Sequence, residues 1–311
     1  MNIIKLTEPR HREWNQFCFD HAWFWHTSLW QNYIQNARFG VDYRNHSFFI
    51  DQGGIVGIVP LIQEDDQFTY QGGATAEYIC QPEHEKAVLA EIKRLAIENG
   101  VKRIHIMGNI KGYLDASTYT CVLDLANINP TKGHRSAIKK AEKYLAYRES
   151  TDIETFRRDY FRIAGKATRP DRTFELLGQW IEQGYGILLE ALFEGKTAGY
   201  TYILHWKDYA YYFMSAVEPE FRECNVSHFL QSAAFDLLRQ KGITRYELGE
   251  QVANTLHQQP SEKERNISLF KRGFGGQIVQ KPASEYFFDR DYFRETMNRR
   301  IENYIRSEFD E

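Results

Sequence analysis

The sequence predicts an α/β protein built from two copies of one unit, and three observations carry that expectation. First, each half holds two apolar runs joined by a turn that contains glycine. Ser47 to Ile50 reaches Gly53-Gly54 and resumes as Ile55 to Ile62, while Ile187 to Phe193 reaches Glu194-Gly195-Lys196 and resumes as Thr197 to Leu204. Both read as β-hairpins, with glycine supplying the turn conformation. Second, an amphipathic helix in each half ends at a glycine and leads straight into a strand: Glu83 to Asn99 before Gly100–Gly108, and Ser227 to Lys241 before Gly242–Gly249. A glycine just past a helix end is the expected left-handed cap. Third, the two halves keep one register. Gly53 and Gly195, Gly57 and Gly199, Gly100 and Gly242, and Arg103 and Arg245 each stand 142 positions apart. Four coincidences at one offset, in the same order of elements, argue for duplication.

The remaining elements follow in order. Asn129 to Tyr147 connects the halves, and two helical stretches follow near Asp152 to Gly165 and Asp171 to Gln183. A charged helix from Asp291 to Ser307 closes the chain. The expected domains are residues 1–129 and 130–311.

Composition narrows the function classes. A chain of 311 residues can form about two domains with real cores. It is 42% hydrophobic and 26% charged, the profile of a globular protein. A formal net charge of −3 gives no global attraction to DNA or anionic lipid, so any basic surface must be local. The opening MNIIKLTEPRHREW lacks the apolar stretch of a signal peptide, and no apolar run near 20 residues appears downstream. Cys18, Cys80, Cys121 and Cys224 are widely spaced and form no C-x-x-C. No disulfide framework and no integral membrane segment are expected, and the cytoplasm is the expected location. Ten histidines include no metal-ligating spacing, so no metal is expected.

Several phrases resemble the Fem (peptidoglycan-bridge aminoacyltransferase) family. They are Trp14 with Phe24-Trp25-His26-Thr27-Ser28-Leu29-Trp30, Tyr119 to Leu125 followed by His134 to Lys143, Tyr246-Glu247-Leu248-Gly249, and Leu269-Phe270-Lys271-Arg272-Gly273-Phe274-Gly275. The resemblance spans roughly residues 10–290. It implies two tandem acetyltransferase-like (GNAT) domains, each a mixed, mostly antiparallel sheet flanked by helices. It also implies an acyltransferase that forms an amide on an amine of a cell-envelope or surface-polysaccharide precursor, an amino sugar or nucleotide-linked glycan. Members that use transfer RNA usually carry a long helical arm in the second half. The stretch from Asp152 to Gln183 is short and contains Pro170, which favours acyl-coenzyme A as donor over charged transfer RNA. Aminoacyl transfer from transfer RNA to a peptidoglycan precursor is the alternative. A non-catalytic glycan-binding scaffold is the third reading.

Candidate site residues follow from this chemistry. Amide formation needs a donor carbonyl held close, hydrogen-bond donors for the developing oxyanion and a deprotonated amine; in acetyltransferase-like folds the carbonyl lies where two central strands splay. Phosphates suit a helix start, here Arg222, Asn225 and Ser227, although this loop holds no glycine. Lys271 and Arg272 beside Gly273 form a second compact basic site. Arg135, Lys139 and Lys143 fall at i, i+4, i+8 and could hold the phosphates of a nucleotide-linked substrate, with Tyr212 a further substrate contact. Glu247, Glu250 and His205 are the candidate bases, and His228 is plausible. Each of these also has an ordinary reading as a cap, a solvated face or an ion-pair partner. Arg272-Gly273-Phe274-Gly275 starts an RNA-recognition submotif but lacks its continuation, so a loop glycine cluster is expected there.

Overall fold

A computed structural model describes residues 2–70 and 73–309. In chain order the elements are β1 (Asn2–Lys5), α1 (His11–His21), α2 (Ser28–Gln35), β2 (Tyr43–Asn45), β3 (Phe48–Asp51), β4 (Ile55–Val59), β5 (Ile62–Glu64), β6 (Gln67–Phe68), α3 (Pro82–Glu98), β7 (Arg103–Met107) and β8 (Leu114–Asp115). There follow β9 (Thr118–Asp124), α4 (Lys132–Ala141), β10 (Leu145–Ser150), α5 (Ile153–Ala164), α6 (Asp171–Glu182), β11 (Gly186–Phe193), β12 (Lys196–Trp206) and β13 (Tyr209–Val217). The last are α7 (Val226–Gln240), β14 (Arg245–Gln251), α8 (Glu262–Arg272), β15 (Gln277–Lys281), β16 (Ala283–Phe287) and α9 (Arg290–Phe309). The fold is mixed α/β, as the repeated hairpins and helix–strand pairs predict.

The contacts define two compact units. One comprises Met1–Thr118, Ala253–Gln259 and Gln280–Glu311; the other comprises Tyr119–Val252 and Pro260–Val279. This differs from a single cut between residues 129 and 130. β9 joins the sheet of the second unit, ordered β10-β11-β12-β13-β14-β9-β15, because it pairs antiparallel with β14. β16 joins the first unit's sheet, ordered β2-β5-β6-β7-β16-β8, because it pairs antiparallel with β7.

The register of 142 runs through the backbone as well as the residues. Asp65 and Lys207 both turn with positive φ (53° and 55°). The parallel pairs Gln67↔Arg103 and Tyr209↔Arg245 match. So do the caps: Val101 N–H donates to Ala96 O, and Ile243 N–H to Leu238 O. Gly57 and Gly199 share a reason for having no side chain. A Cβ at Gly57 would lie 2.9 Å from Ile79 O, and one at Gly199 2.7 Å from Ala216 O. Both units bury one helix against their sheet: Val88, Ile92 and Ala96 of α3 in the first, and Leu230, Ala234 and Leu238 of α7 in the second.

The copies also diverge. The expected run Ile55 to Ile62 is broken, because Pro60 offers no N–H and β4 ends at Val59. β4 then stays with β1 and β3 in a separate three-stranded sheet. Tyr202 occupies the matching position in the second unit, and β12 runs unbroken there.

Candidate active site

The second unit opens where its two parallel central strands part. β13 and β14 pair only at Tyr209↔Arg245, Ala210↔Tyr246 and Tyr211↔Glu247, yet β13 continues to Val217 and β14 to Gln251. Each carries an extra residue at the parting. Tyr202 faces Met214 while Ile203 faces Tyr212, which leaves Phe213 as a bulge; Glu247 faces Val122 while Gly249 faces Cys121, which leaves Leu248 as another. Bulges bend a strand and re-aim its side chains. The result is a cleft of about 860 Å³ lined by the successive residues Tyr211 to Ser215 along the freed edge of β13.

The matching place in the first unit is closed. After Phe68↔Ile104 the chain returns to β7, where Thr75 N–H donates to His105 O and Met107 N–H donates to Thr75 O. Its helix α3 starts with Pro82 and carries Glu83 and Glu85 in the first turn, which is hostile to an anion.

Lys271 enters the cleft from the end of α8. Its Nζ donates to Glu250 O (3.4 Å) and would lie 3.2 Å from a Cβ at Gly249. Gly249 has φ +87°, so the strand bends there without a side chain and leaves room for the ammonium and the Tyr211 hydroxyl. Burial lowers the Lys271 pKa, and the charge of Glu250 partly restores it.

The start of α7 supplies the other feature. Asn225 occupies the cap position in a left-handed conformation (φ 57°, ψ 34°) and its side chain makes no cap bond, although a capping side chain is the ordinary expectation. Ser227, in the first turn, lines the cleft. Arg222 is exposed on the short 3-10 turn that precedes it.

The other expected residues scatter. Glu247 is buried and accepts from Thr120 Oγ1 (2.7 Å) and Tyr209 OH (2.5 Å), which tie its side chain at the last paired rung. Glu250 is exposed at the end of β14. His205 faces Ala210 near the β12–β13 turn and does not line the cleft; burial lowers its pKa. His228 stands beside Ser227 with a pKa lowered to about 4, by burial and then by the charge of His134. Tyr212 lines the cleft and donates to Ser215 Oγ (2.5 Å). Arg272 is exposed outside the cleft lining. Arg135 donates to Pro130 O, and Lys139 is exposed on α4. Lys143 lies past the end of α4 at Ala141, so the expected three-turn basic stripe is cut short.

Sequence reasoning missed Tyr160, Arg169 and Phe213, which all line the cleft. The Arg169 guanidinium lies over the Tyr160 ring (5.7 Å) and donates to Met214 Sδ (3.3 Å). No local motif marks these residues; the strand bulge and the short α5–α6 connection bring them in.

Residues 132–258 match the family described as an acetyltransferase (GNAT) domain. This stretch is a GNAT-like domain. The match and the fold support an acyltransferase. Among solved structures, FemX is similar at a TM-score of 0.70 and 14% identity, over 96% of this chain and 100% of that one. A C-terminal domain of a putative lysylphosphatidylglycerol synthetase from Agrobacterium fabrum aligns at a TM-score of 0.66 and 10% identity, covering 96% of each chain. A tandem GNAT protein from the clavulanic acid biosynthesis pathway aligns at 0.56 and 12%, over 92% of this chain and 98% of that one. At these identities the likeness is one of fold. No curated protein sequence matches the chain. The GNAT-like domain thus contains the parted strands, Tyr212, the α7 start and Glu247, while Lys271 is supplied by α8 beyond the matched stretch. Among the described residues no group of His, Cys, Asp and Glu is arranged to hold a metal ion, and no helix is long and apolar enough to cross a membrane.

Proposed function

We propose that the protein is an acyl-coenzyme A-dependent N-acyltransferase that forms an amide on an amino sugar or similar amine of a cell-envelope or surface-polysaccharide precursor. One observation carries the reading: β13 and β14 part after Tyr211 and Glu247, and the Lys271 ammonium reaches the opening. A thioester carbonyl laid between the strands meets the edge of β13 beyond its last pairing with β14, where backbone N–H groups can donate hydrogen bonds to the developing oxyanion. Lys271 adds a cation at the same place. Glu250, close enough for its charge to act on Lys271, takes the proton of the attacking amine as the new C–N bond forms. The thioester C–S bond then breaks and coenzyme A leaves as its thiolate, which takes up a proton to become the thiol. The donor's phosphates sit at the α7 start, at Asn225 and Ser227 with Arg222 nearby. Asn225 does there, in a left-handed conformation, what glycine does in a glycine-rich phosphate loop. That substitution speaks for a retained donor site and against a scaffold that has lost one. The amine-bearing substrate enters past Arg169, Tyr160 and Tyr212. Glu247, His205, Arg272, Arg135, Lys139 and Lys143, which do not line the cleft, have no part in this scheme.

Aminoacyl transfer from transfer RNA is the second reading, favoured by the Fem resemblance and opposed by the short helices α5 and α6. Calorimetry with acetyl-coenzyme A and free coenzyme A tests the first. Saturable micromolar binding, weakened by Arg222→Glu near the α7 start, is the expected result. Absence of binding by both ligands, with activity in extracts that RNase abolishes, would replace it with the second reading.

A further inference from the structure

The start of α4 meets the end of α8, and one side chain bridges the two. Thr131 N–H donates to Gly273 O (2.8 Å), and His134 Nε2 lies 2.9 Å from Phe270 O. A carbonyl oxygen only accepts, so Nε2 carries a proton, while Nδ1 lies 3.1 Å from the Thr131 hydroxyl. The imidazole fills the space that a side chain at Gly273 would need, since a Cβ there would lie 2.0 Å from the ring. Around it stand the rings of His228 (4.6 Å), Phe274 (4.7 Å) and Phe270 (5.7 Å).

Two of these contacts reach the functional cleft. His228 belongs to the first turn of α7, next to Ser227, and Lys271 is the residue after the bonded carbonyl. Phe270 O also accepts from Gly273 N–H (3.2 Å), so the last turn of α8 is shaped by two bonds at one oxygen. Without the imidazole bond the Phe270 carbonyl keeps the Gly273 N–H, and the turn is held from outside by Thr131 N–H at Gly273 O and by the Cys121 thiol at Lys271 O (3.8 Å). A shift of that turn moves the backbone from which Lys271 reaches the Glu250 carbonyl.

We propose that His134 is a positioning residue for acyl transfer: by holding the Phe270 carbonyl it fixes the turn from which Lys271 enters the cleft and ties that turn to the phosphate end of α7. The inference rests on the acyltransferase reading only for its kinetic consequence. The titratable groups acting on Lys271 are Glu250, Glu247 and Cys121, so the ammonium's environment reports its position.

The test compares His134→Leu, which removes the donor, with His134→Gln, whose amide N–H can reach the same carbonyl. His134→Leu should lower kcat by about 10- to 100-fold, the loss expected for a misplacement near 1 Å, with KM for the acyl donor little changed. His134→Gln should recover most of it. The second readout needs no substrate: the pH midpoint for modification of Lys271 by fluorodinitrobenzene, followed by mass spectrometry. It should lie below that of an ordinary lysine in the parent protein and in His134→Gln, and rise in His134→Leu. Equal kinetic losses in both variants, or one midpoint for all three proteins, overturns the proposal. If acyl transfer with coenzyme A donors is never found, the proposed function fails while the lysine midpoints still decide the role of His134.

Discussion

Lys271 and Gly273 illustrate how much depends on single positions in the second unit. Lys271 acts as a cation in the proposed mechanism, so its activity requires the proton. Burial lowers its pKa, and the rate should therefore fall as pH rises through a value below the ordinary 10.5 of lysine. Lys271→Arg should move that alkaline limb upward, and Lys271→Met should cost about 10²- to 10³-fold in kcat, the size of losing an oxyanion donor. A pH–rate profile of the three proteins checks this; a limb that stays in place with arginine would assign it to another group. Gly273→Ala forces a Cβ to 2.0 Å from the His134 ring, and about 1–3 kcal/mol of stability should be lost to overpacking, read from urea denaturation. At Gly275 and Gly276 the limits are Asn129 O at 2.2 Å and Cys121 Sγ at 2.5 Å. The glycine cluster expected from sequence is thus a docking surface for backbone and rings.

At the scale of elements, α7 invites a test of its own. Asn225 adopts φ 57°, and glycine reaches that conformation without strain. Asn225→Gly should leave stability within about 1 kcal/mol of the parent, and a β-branched Asn225→Val should lose about 1–2 kcal/mol. Thermal unfolding of the pair reads the difference; equal melting temperatures would mean that the left-handed turn is not maintained. The elements themselves were largely legible. α3, α5, α6 and α7 lie within a residue or two of their expected bounds because glycines and periodic apolar positions mark helix ends. The hairpin of the first half was legible, but its split at Pro60 was overlooked although the residue itself announces it. The bulges at Phe213 and Leu248 were not legible, because an extra residue in a strand depends on what its neighbours pair with. For the same reason the cleft-lining Arg169 and Tyr160 went unnoticed, while Ser227, Tyr212 and Lys271 were reached through chemical expectation.

The whole molecule carries several buried ionisable groups in its first unit, and they set its response to acid. Burial lowers His26 and His105 to about 4, as it does His228 in the second unit. A histidine lowered below its unfolded value of about 6.5 binds fewer protons when folded, so its contribution is full above that value and is lost as pH falls toward 4. Glu285 is raised by burial, but the hydrogen bonds of Arg300 and the charge of Arg103 overcome this and leave it at about 2. Its stabilisation is lost below about 4.5, the ordinary glutamate value. Stability should therefore decline from pH 6.5 to 4, by up to roughly 3 kcal/mol for each buried histidine, and again below. Urea midpoints that stay level from pH 7 to 4.5 would contradict it. Fragments test the division of the chain. Residues 119–281 include every strand of the seven-stranded sheet except the first residue of β9, whereas 130–311 lack β9 altogether. The first fragment should give a cooperative thermal transition, and the second should not. A ribosome delivers β7 long before its partner β16, which comes within the last thirty residues. On the nascent chain one side of β7 must wait for about 175 further residues, while the later unit already has all its strands. The half that is translated first is therefore the half that is completed last, and a chaperone that shields Ile104 and Ile106 during synthesis would act on that interval.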